Sequence, residues 1–224
     1  MKDLKVGVVI PAGGIGKRFG SDKPKQFLEI NGMPILQLTI QKFQTCDAID
    51  FIVVVSHTDF VEETQKLVYQ NQFTKVKSIV VGGEHRQDSV WNGIKEILKF
   101  SVDIILIHDG VRPFVTNKLI LDIINATEEY DAAVPGLAPK DTIKISDDNG
   151  FLVETPYRRL LYAVQTPQGF KTDLIVKAYE KAFYDKFYGT DDASLVEKLR
   201  RKVKLVNGDY NNIKITTVED LNNR

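Results

Sequence analysis

Cysteine, net charge and long apolar runs are all scarce in this 224-residue chain. Its single cysteine, Cys46, excludes an internal disulfide and argues against a cysteine-based zinc site. Thirty lysines and arginines balance thirty aspartates and glutamates, so the chain lacks the overall field that holds nucleic acid or an anionic membrane. No apolar stretch is long enough to cross a bilayer, and the N-terminal apolar run leads into a glycine loop rather than a secretory cleavage site. We therefore predict a cytoplasmic protein with neither nucleic-acid nor membrane partners.

Short β-branched runs alternate along the chain with segments of helical periodicity. The predicted strands are residues 5–10, 51–55, 78–81, 104–107, 132–137, 204–206 and 213–217. The predicted helices are residues 34–44, 58–70, 87–100, 117–129, 174–183 and 192–199. Repeated β-α-β units predict a single α/β domain over residues 1–224, with a Rossmann-like, mostly parallel sheet and helices on both faces. In such sheets ligands bind beyond the carboxyl ends of the strands.

Residues 139–162 interrupt this alternation. Ile143 and Ile145 precede a turn at residues 147–150, and Leu152 and Val153 follow it, which is typical of a hairpin. The hairpin is either an exposed flap or a projecting β-arm for dimerisation. The arm is favoured, because an isolated hairpin is marginally stable without a surface to pack on.

A glycine loop with several cations follows the first strand. Glycines allow the backbone to bring N–H groups close to an anion. The loop matches neither common phosphate-binding pattern, because Arg18 stands where one pattern needs a magnesium-binding hydroxyl and Phe19 stands at the third glycine of the other. Its four cations suit a ligand with several phosphates: Lys17, Arg18, Lys23 and Lys25.

Two further loops follow strands. Asp109, after the fourth strand, is well placed to hold a divalent metal bound to phosphates, and Arg112 is able to clamp a second phosphate. Their neighbour His108 is more typical of a structural hydrogen-bonding group than of a proton shuttle. A second glycine turn begins at Gly82, where backbone groups together with Ser89 either read a base edge or form an ordinary capped loop.

Seven motifs in this order resemble the 2-C-methyl-D-erythritol 4-phosphate cytidylyltransferases of non-mevalonate isoprenoid biosynthesis. They are Pro11-Ala-Gly-Gly-x-Gly-x-Arg-x5-Pro-Lys-Gln, Gly82-Gly-Glu-x-Arg-x-x-Ser-Val, His108-Asp-x-x-Arg-Pro, Lys140-Asp-Thr, Gln165-Thr-Pro-Gln, Thr190-Asp-Asp-Ala-Ser and Asn212-Ile-Lys-Ile-Thr. The resemblance covers essentially the whole chain. It implies a magnesium-dependent enzyme that joins CTP and 2-C-methyl-D-erythritol 4-phosphate, giving 4-diphosphocytidyl-2-C-methyl-D-erythritol and pyrophosphate. It also implies a homodimer formed through the β-arm.

The resemblance carries roles onto individual residues. It places the triphosphate and transition-state cations on Arg18, Lys25 and Lys214. The cytidine-binding positions are Ala12, Gly13, Gly14, Gly83, Glu84 and Ser89. Asp109 and Arg112 face the substrates, and Asp109 is expected to hold magnesium directly or through phosphates and water. The sugar-phosphate contacts fall on Thr142 and Arg158, donated by the other subunit, and on Thr166.

The chain departs from the family pattern at Tyr157, where an acidic residue often precedes the arm arginine. Arg159 therefore stays an alternative to Arg158, although the distance from Arg158 to the Gln165-Thr-Pro-Gln motif fits the family. Two other functions stay open at this point. One is a ribitol-5-phosphate cytidylyltransferase that makes CDP-ribitol for wall or capsule polymers, and the other is a non-catalytic nucleotide-sensing module.

Overall fold

The structure, a computed structural model, describes residues 4–14, 24–217 and 219–222. The predicted cation Arg18 lies outside these ranges. The twelve strands within them are β1 Val6–Ala12, β2 Glu29–Ile30, β3 Met33–Pro34, β4 Phe51–Ser56, β5 Val76–Val81, β6 Ile104–Ile107, β7 Ala132–Leu137, β8 Ile145–Ser146, β9 Leu152–Glu154, β10 Ala163–Val164, β11 Gln168–Lys171 and β12 Lys204–Asn207.

Seven α-helices lie in the same ranges: α1 Ile35–Gln44, α2 Val61–Gln70, α3 Arg86–Ile97, α4 Asn117–Tyr130, α5 Thr172–Tyr184, α6 Asp192–Lys198 and α7 Glu219–Asn222. Short 3-10 helices occupy Lys25–Phe27, Thr58–Phe60, Leu98–Phe100 and Arg158–Leu160. None of the helices in the described parts of the chain is long and apolar enough to cross a membrane.

The central sheet has eight strands. Seven follow one another in the order β10-β7-β11-β6-β1-β4-β5, and β12 pairs with β7. The pairs β1–β4, β1–β6, β4–β5 and β7–β12 are parallel, whereas β11 runs antiparallel to β6 and β7, and β10 antiparallel to β7. The prediction of a mostly parallel α/β sheet is therefore confirmed.

Side chains of β1 alternate between two cores because successive strand residues face opposite sides of a sheet. Val6, Val8 and Ile10 pack with α1, α2 and α4 on one face. Val9 packs with α3, α5 and α6 on the other face. Helices therefore cover both faces, as the continuous apolar runs predict, and the loops at the carboxyl ends of the strands are left to form a cleft.

The structure corrects two parts of the sequence-based assignment. Residues 213–217 were predicted as a strand, but they form an irregular segment. Ile215 is buried beside Val111, and its N–H donates to the Val111 carbonyl oxygen at 2.9 Å. This backbone hydrogen bond holds the segment in place without the regular hydrogen bonding of a strand pair. Strand β11 was not predicted, since its Gln-Gly-Phe-Lys sequence is short and has no apolar run.

The segment between β7 and β10 carries the small antiparallel pair β8–β9. Large apolar side chains along it are exposed: Ile143, Ile145, Phe151, Leu152, Val153, Tyr157, Leu160 and Tyr162. Among the described strands, β8 and β9 pair only with each other, and no strand of the central sheet pairs with them. Residues 139–162 therefore present an apolar surface that the described part of the chain does not cover.

Candidate active site

The cleft forms at the carboxyl ends of β1, β4, β5 and β6, where backbone hydrogen bonds join β5 to β4 and β6 to β1. Gly82 N–H donates to Ser56 O at 2.8 Å, and Gly110 N–H donates to Pro11 O at 3.1 Å. A Cβ added to Gly110 would lie 3.1 Å from both Pro11 O and Ala12 Cβ, so a side chain there would have to push these neighbours away by a few tenths of an ångström. This close approach brings Asp109 up against the glycine loop.

A first cavity of about 350 Å³ occupies this cleft. Nine sequence-predicted residues line it: Ala12, Gly13, Gly14, Lys25, Gly83, Glu84, Ser89, Asp109 and Lys214. Pro11, Gln26, His85, Arg86 and Val111 complete the lining. The structure thus brings together all predicted nucleotide-binding positions and both described predicted cations.

A second cavity of about 470 Å³ adjoins the first. Arg112 and Thr166, two of the predicted acceptor contacts, line it together with Tyr162, Val164, Gln165, Gln168, Thr190, Asp191, Ser194 and Glu197. Three residues line both cavities: Arg86, Asp109 and Lys214. Ligands in the two cavities would meet at these three side chains.

The glycine turn before α3 is held in shape by Ser89. The Gly83 N–H donates to Ser89 Oγ at 3.0 Å, and the Ser89 hydroxyl lies 3.1 Å from the His85 carbonyl oxygen, to which it donates. A Cβ on Gly83 would lie 2.4 Å from the Cβ of Asp88, so this position requires glycine. With its hydroxyl engaged inside the turn, Ser89 shapes the loop, while backbone groups face the cavity.

Buried Gln26 joins the two ends of the glycine loop. Its side-chain amide donates to the Ala12 carbonyl oxygen at 2.8 Å, and its neighbour Lys25 opens the short 3-10 helix at the cavity wall. This bond ties the position of Lys25 to the end of β1. Sequence reasoning used Gln26 only as part of a motif and did not anticipate this contact.

Asp109 lies at the centre of a cluster of cations. One carboxylate oxygen lies 2.9 Å from Lys214 Nζ and 3.5 Å from Arg112 Nε, and the other lies 3.4 Å from Arg86 Nη2. Burial by itself would raise the pKa of Asp109, but the charges of Arg86 and Lys214 outweigh it, and the pKa lies well below its usual range. Asp109 therefore stays ionised and fixes the positive groups around it.

His108 and Thr166 form a buried pair behind Asp109. Burial lowers the pKa of His108 to about 4, so the ring is neutral at neutral pH. Its Nε2 lies 3.1 Å from the Arg112 carbonyl oxygen, which only accepts, so Nε2 carries the proton and Nδ1 accepts. The Thr166 hydroxyl donates to Nδ1 at 3.2 Å and accepts from the Asp109 N–H at 3.1 Å. Both groups therefore orient the Asp109 backbone.

Arg112 supports the segment that carries Lys214. Its Nη1 donates to the carbonyl oxygen of buried Asn212 at 2.8 Å, and the Asn212 side-chain amide donates to Thr166 O at 2.8 Å. Ile215 is anchored to Val111, so Lys214 is held between two fixed neighbours. Lys214 nevertheless keeps 39% of its side chain exposed, and it lines both cavities.

The predicted arm contacts do not join this cleft. Neither Thr142 nor Arg158 is among the described residues that line the two cavities of their own chain. Arg158 Nη1 instead donates to the Lys140 carbonyl oxygen at 3.1 Å, across the base of the arm. Both residues therefore lie apart from the cleft of their own chain.

Sequence reasoning also missed a partly buried ion pair beside Asp109. Arg86 donates to both carboxylate oxygens of Asp192, at 3.1 and 2.8 Å. Arg86 belongs to the motif that begins at Gly82, and Asp192 belongs to the motif that begins at Thr190. Their membership of these motifs was the available signal. Their separation in sequence hid the contact.

The comparisons with known proteins identify the family that the whole chain resembles. A sequence model of the 2-C-methyl-D-erythritol 4-phosphate cytidylyltransferase family matches residues 6–223. A protein of that name from Clostridium perfringens is 48% identical over 217 residues, which are 97% of this chain and 96% of the relative. A solved structure from Anaerococcus prevotii, named 4-diphosphocytidyl-2C-methyl-D-erythritol synthase, has a TM-score of 0.87 at 35% identity, covering 98% of this chain and 93% of that one. A Thermus thermophilus cytidylyltransferase has a TM-score of 0.80 at 31% identity, covering 97% and 96%.

Proposed function

This chain belongs to the family of 2-C-methyl-D-erythritol 4-phosphate cytidylyltransferases, and from that premise we propose how its two cavities perform the reaction. The protein is a nucleotidyltransferase that joins CTP and 2-C-methyl-D-erythritol 4-phosphate, giving 4-diphosphocytidyl-2-C-methyl-D-erythritol and pyrophosphate for non-mevalonate isoprenoid biosynthesis. The relatives named above all carry this activity in their names, and none is a ribitol-5-phosphate enzyme or a sensor.

One observation carries the assignment of substrates to cavities. The first cavity contains the glycine loop and the turn at Gly83, and the second contains Arg112 and Thr166. Because Asp109 and Lys214 line both, the α-phosphate of a nucleotide in the first cavity would lie next to the phosphate of an acceptor in the second. We place CTP in the first cavity and the polyol phosphate in the second.

The reaction then needs positioning and charge neutralisation more than proton transfer. The second pKa of a phosphate monoester is about 6, so the acceptor phosphate is already a nucleophile near neutrality. One of its oxygens attacks the α-phosphorus of CTP in line, and the bond to the bridging oxygen breaks as pyrophosphate leaves. Lys25 and Lys214, with Arg18, neutralise the charge of the two phosphate groups as they approach.

Magnesium fits this site as a partner of phosphates rather than as the occupant of a protein cage. Among residues 4–14, 24–217 and 219–222, no three His, Cys, Asp or Glu side chains cluster to hold a metal. Mg²⁺ is commonly bound by one or two carboxylates together with substrate phosphates, and the ionised Asp109 supplies one such carboxylate. When bound, the ion would withdraw charge from the triphosphate, and Asp109 would hold it directly or through water.

The arm completes the acceptor cavity in a homodimer. The arm has exposed apolar side chains that would be stabilised by packing against another surface. Its residues Thr142 and Arg158 lie outside the two cavities of their own chain. We propose that the arms of two chains pack together and that each inserts these two residues at its partner's second cavity. Arg158, which the exposed apolar arm carries, would then contact the polyol phosphate.

The assignment is tested by measuring pyrophosphate release from CTP with each acceptor in turn. Release with 2-C-methyl-D-erythritol 4-phosphate, and little with ribitol 5-phosphate, is the expected result. Faster release with ribitol 5-phosphate would identify the other cytidylyltransferase, and the absence of release with any acceptor would identify a nucleotide sensor.

A further inference from the structure

Arg86 is the cation at the junction of the two cavities to which the sequence assigns no role. It shares both cavity linings with Asp109 and Lys214, and 33% of its side chain is exposed there. Its guanidinium and the Lys214 ammonium group contact different carboxylate oxygens of Asp109, at 3.4 and 2.9 Å. Each carboxylate oxygen of Asp109 therefore contacts a cation.

The position of Arg86 is set by a buried anchor, Asp192. Both oxygens of this carboxylate accept from the guanidinium, and the Asp192 side chain is only 1% exposed. The hydroxyl of buried Tyr179 also donates a hydrogen bond to the Asp192 carboxylate. Burial raises the pKa of Tyr179 well above its usual value, so the phenol stays a donor. Burial and the hydrogen bond from Tyr179 thus fix the position of the Asp192 carboxylate independently of Arg86.

The fork of an arginine is needed for this arrangement. A guanidinium presents several N–H donors in a fixed plane, so one group is able to pair with Asp192 through two bonds and still face Asp109. An ammonium group is a point charge and cannot span both carboxylates with defined geometry. The bidentate contact therefore orients the donor that faces Asp109.

We propose that Arg86, anchored by Asp192, is a positioning residue that orients the Asp109 carboxylate between the two substrate cavities. This inference rests on the proposed function, because Asp109 is the group that faces both phosphates. Without the negative charge of Asp192, the guanidinium would turn towards its remaining carboxylate partner, Asp109. The carboxylate would then move away from Lys214, and the lysine would lose its position at the junction.

Two substitutions of Asp192 separate this role from simple packing. Asp192→Asn keeps the shape but removes the charge, whereas Asp192→Glu keeps the charge and adds a methylene. Since a misplacement of about 1 Å can cost on the order of 100-fold in rate, we expect Asp192→Asn to lower kcat about 10- to 100-fold. The KM for CTP should change little, because Asp192 lines neither cavity. Asp192→Glu should retain more kcat than Asp192→Asn.

A packing role predicts the reverse order, since overpacking a buried site is destabilising while an isosteric change is tolerated. Arg86→Lys, which keeps the charge without the fork, should lower kcat in parallel with Asp192→Asn. Asp131→Asn is the matched control, because it removes the carboxylate of another arginine–aspartate pair, Arg201–Asp131 at 3.0 Å, outside both cavities. The single tryptophan, Trp91, stacks on Tyr179 at 5.4 Å, so its emission verifies that the region is intact.

The outcomes are distinct. Full turnover in Asp192→Asn, or a higher kcat in Asp192→Asn than in Asp192→Glu, would overturn the positioning role while leaving the proposed function in place. If the Asp192 variants do not fold, Arg86→Lys decides, and a kcat equal to that of the wild type would refute the proposal. A wild-type enzyme that releases no pyrophosphate with any acceptor would overturn the function and this inference together.

Discussion

The ammonium group of Lys214 lies 2.9 Å from a carboxylate oxygen of Asp109, at the point where the two cavities meet. Asp109 follows β6, and Lys214 belongs to an irregular segment anchored at Asn212 and Ile215. In the proposed reaction, the ion pair holds the lysine beside the place where the two phosphate groups would approach each other. A preorganised cation costs no reorganisation at the moment of reaction.

We expect Lys214→Ala and Lys25→Ala each to lower kcat by about two to three orders of magnitude, as removal of a preorganised charge-stabilising group does. Steady-state pyrophosphate release measures the effect. Lys118→Ala is the matched control, because Lys118 forms an ion pair with Asp122 outside both cavities. Near-normal turnover of both cleft variants would refute the roles assigned to these lysines.

Arg158→Ala should raise the KM for 2-C-methyl-D-erythritol 4-phosphate by about 10-fold or more, because loss of a charge-assisted hydrogen bond costs about 1.5–3 kcal/mol. The KM for CTP should be less affected. Arg159→Ala is the natural control, since the adjacent arginine has the same charge and is also exposed. If Arg159→Ala raises the KM for 2-C-methyl-D-erythritol 4-phosphate and Arg158→Ala does not, Arg159 is the arm arginine.

The arm should hold two chains together through its apolar surface. Leu152 and Val153 are 67% and 61% exposed in the single chain. Changing both to lysine should convert a dimer into monomers and reduce turnover, because like charges would be buried at the contact. Light scattering coupled to gel filtration measures the mass. Tyr69→Lys alters a tyrosine that is 85% exposed but lies on α2, and it should leave the mass unchanged. A monomeric wild type would contradict the dimer.

The buried His108 should make stability sensitive to acid. Its pKa is about 4 in the folded chain, below the ordinary value of 6.5. The unfolded chain therefore takes up a proton between about pH 6.5 and 4 that the folded chain refuses, so the free energy of unfolding falls as the pH falls through this window.

His108→Gln should be less stable than the wild type at pH 7, because the buried ring makes two hydrogen bonds. The gap should narrow by pH 4.5, because the variant lacks the titration that destabilises the wild type in acid. Denaturant unfolding at several pH values measures the gap. His57→Gln is the control, because it removes a histidine outside both main cavities. Parallel curves for His108→Gln and the wild type would show that His108 does not titrate in this window.

Local pattern was sufficient for the strands whose residues are apolar on both faces. Strands β1, β4 and β6 lie within two residues of their predicted bounds, since a buried parallel strand requires a continuous apolar run. A similar apolar pattern led to a wrong strand prediction at residues 213–217, where Ile215 is buried beside Val111 but does not belong to a strand. The periodicity of apolar residues indicates which side chains are buried, but it does not indicate which backbone groups form hydrogen bonds with each other.

The sequence by itself determined the class of fold, the family and the positions whose chemistry suits phosphates. Glycines, lysines and Asp109 stand directly after strands, and parallel strands bring their carboxyl ends to one edge. Only the tertiary structure decided how these groups pair. The antiparallel β11 enters between β6 and β7, and Arg86 meets Asp192 and Asp109 across the cleft. Such contacts join segments far apart in the chain, and their geometry depends on strand order and on burial, neither of which is encoded within a local window of residues.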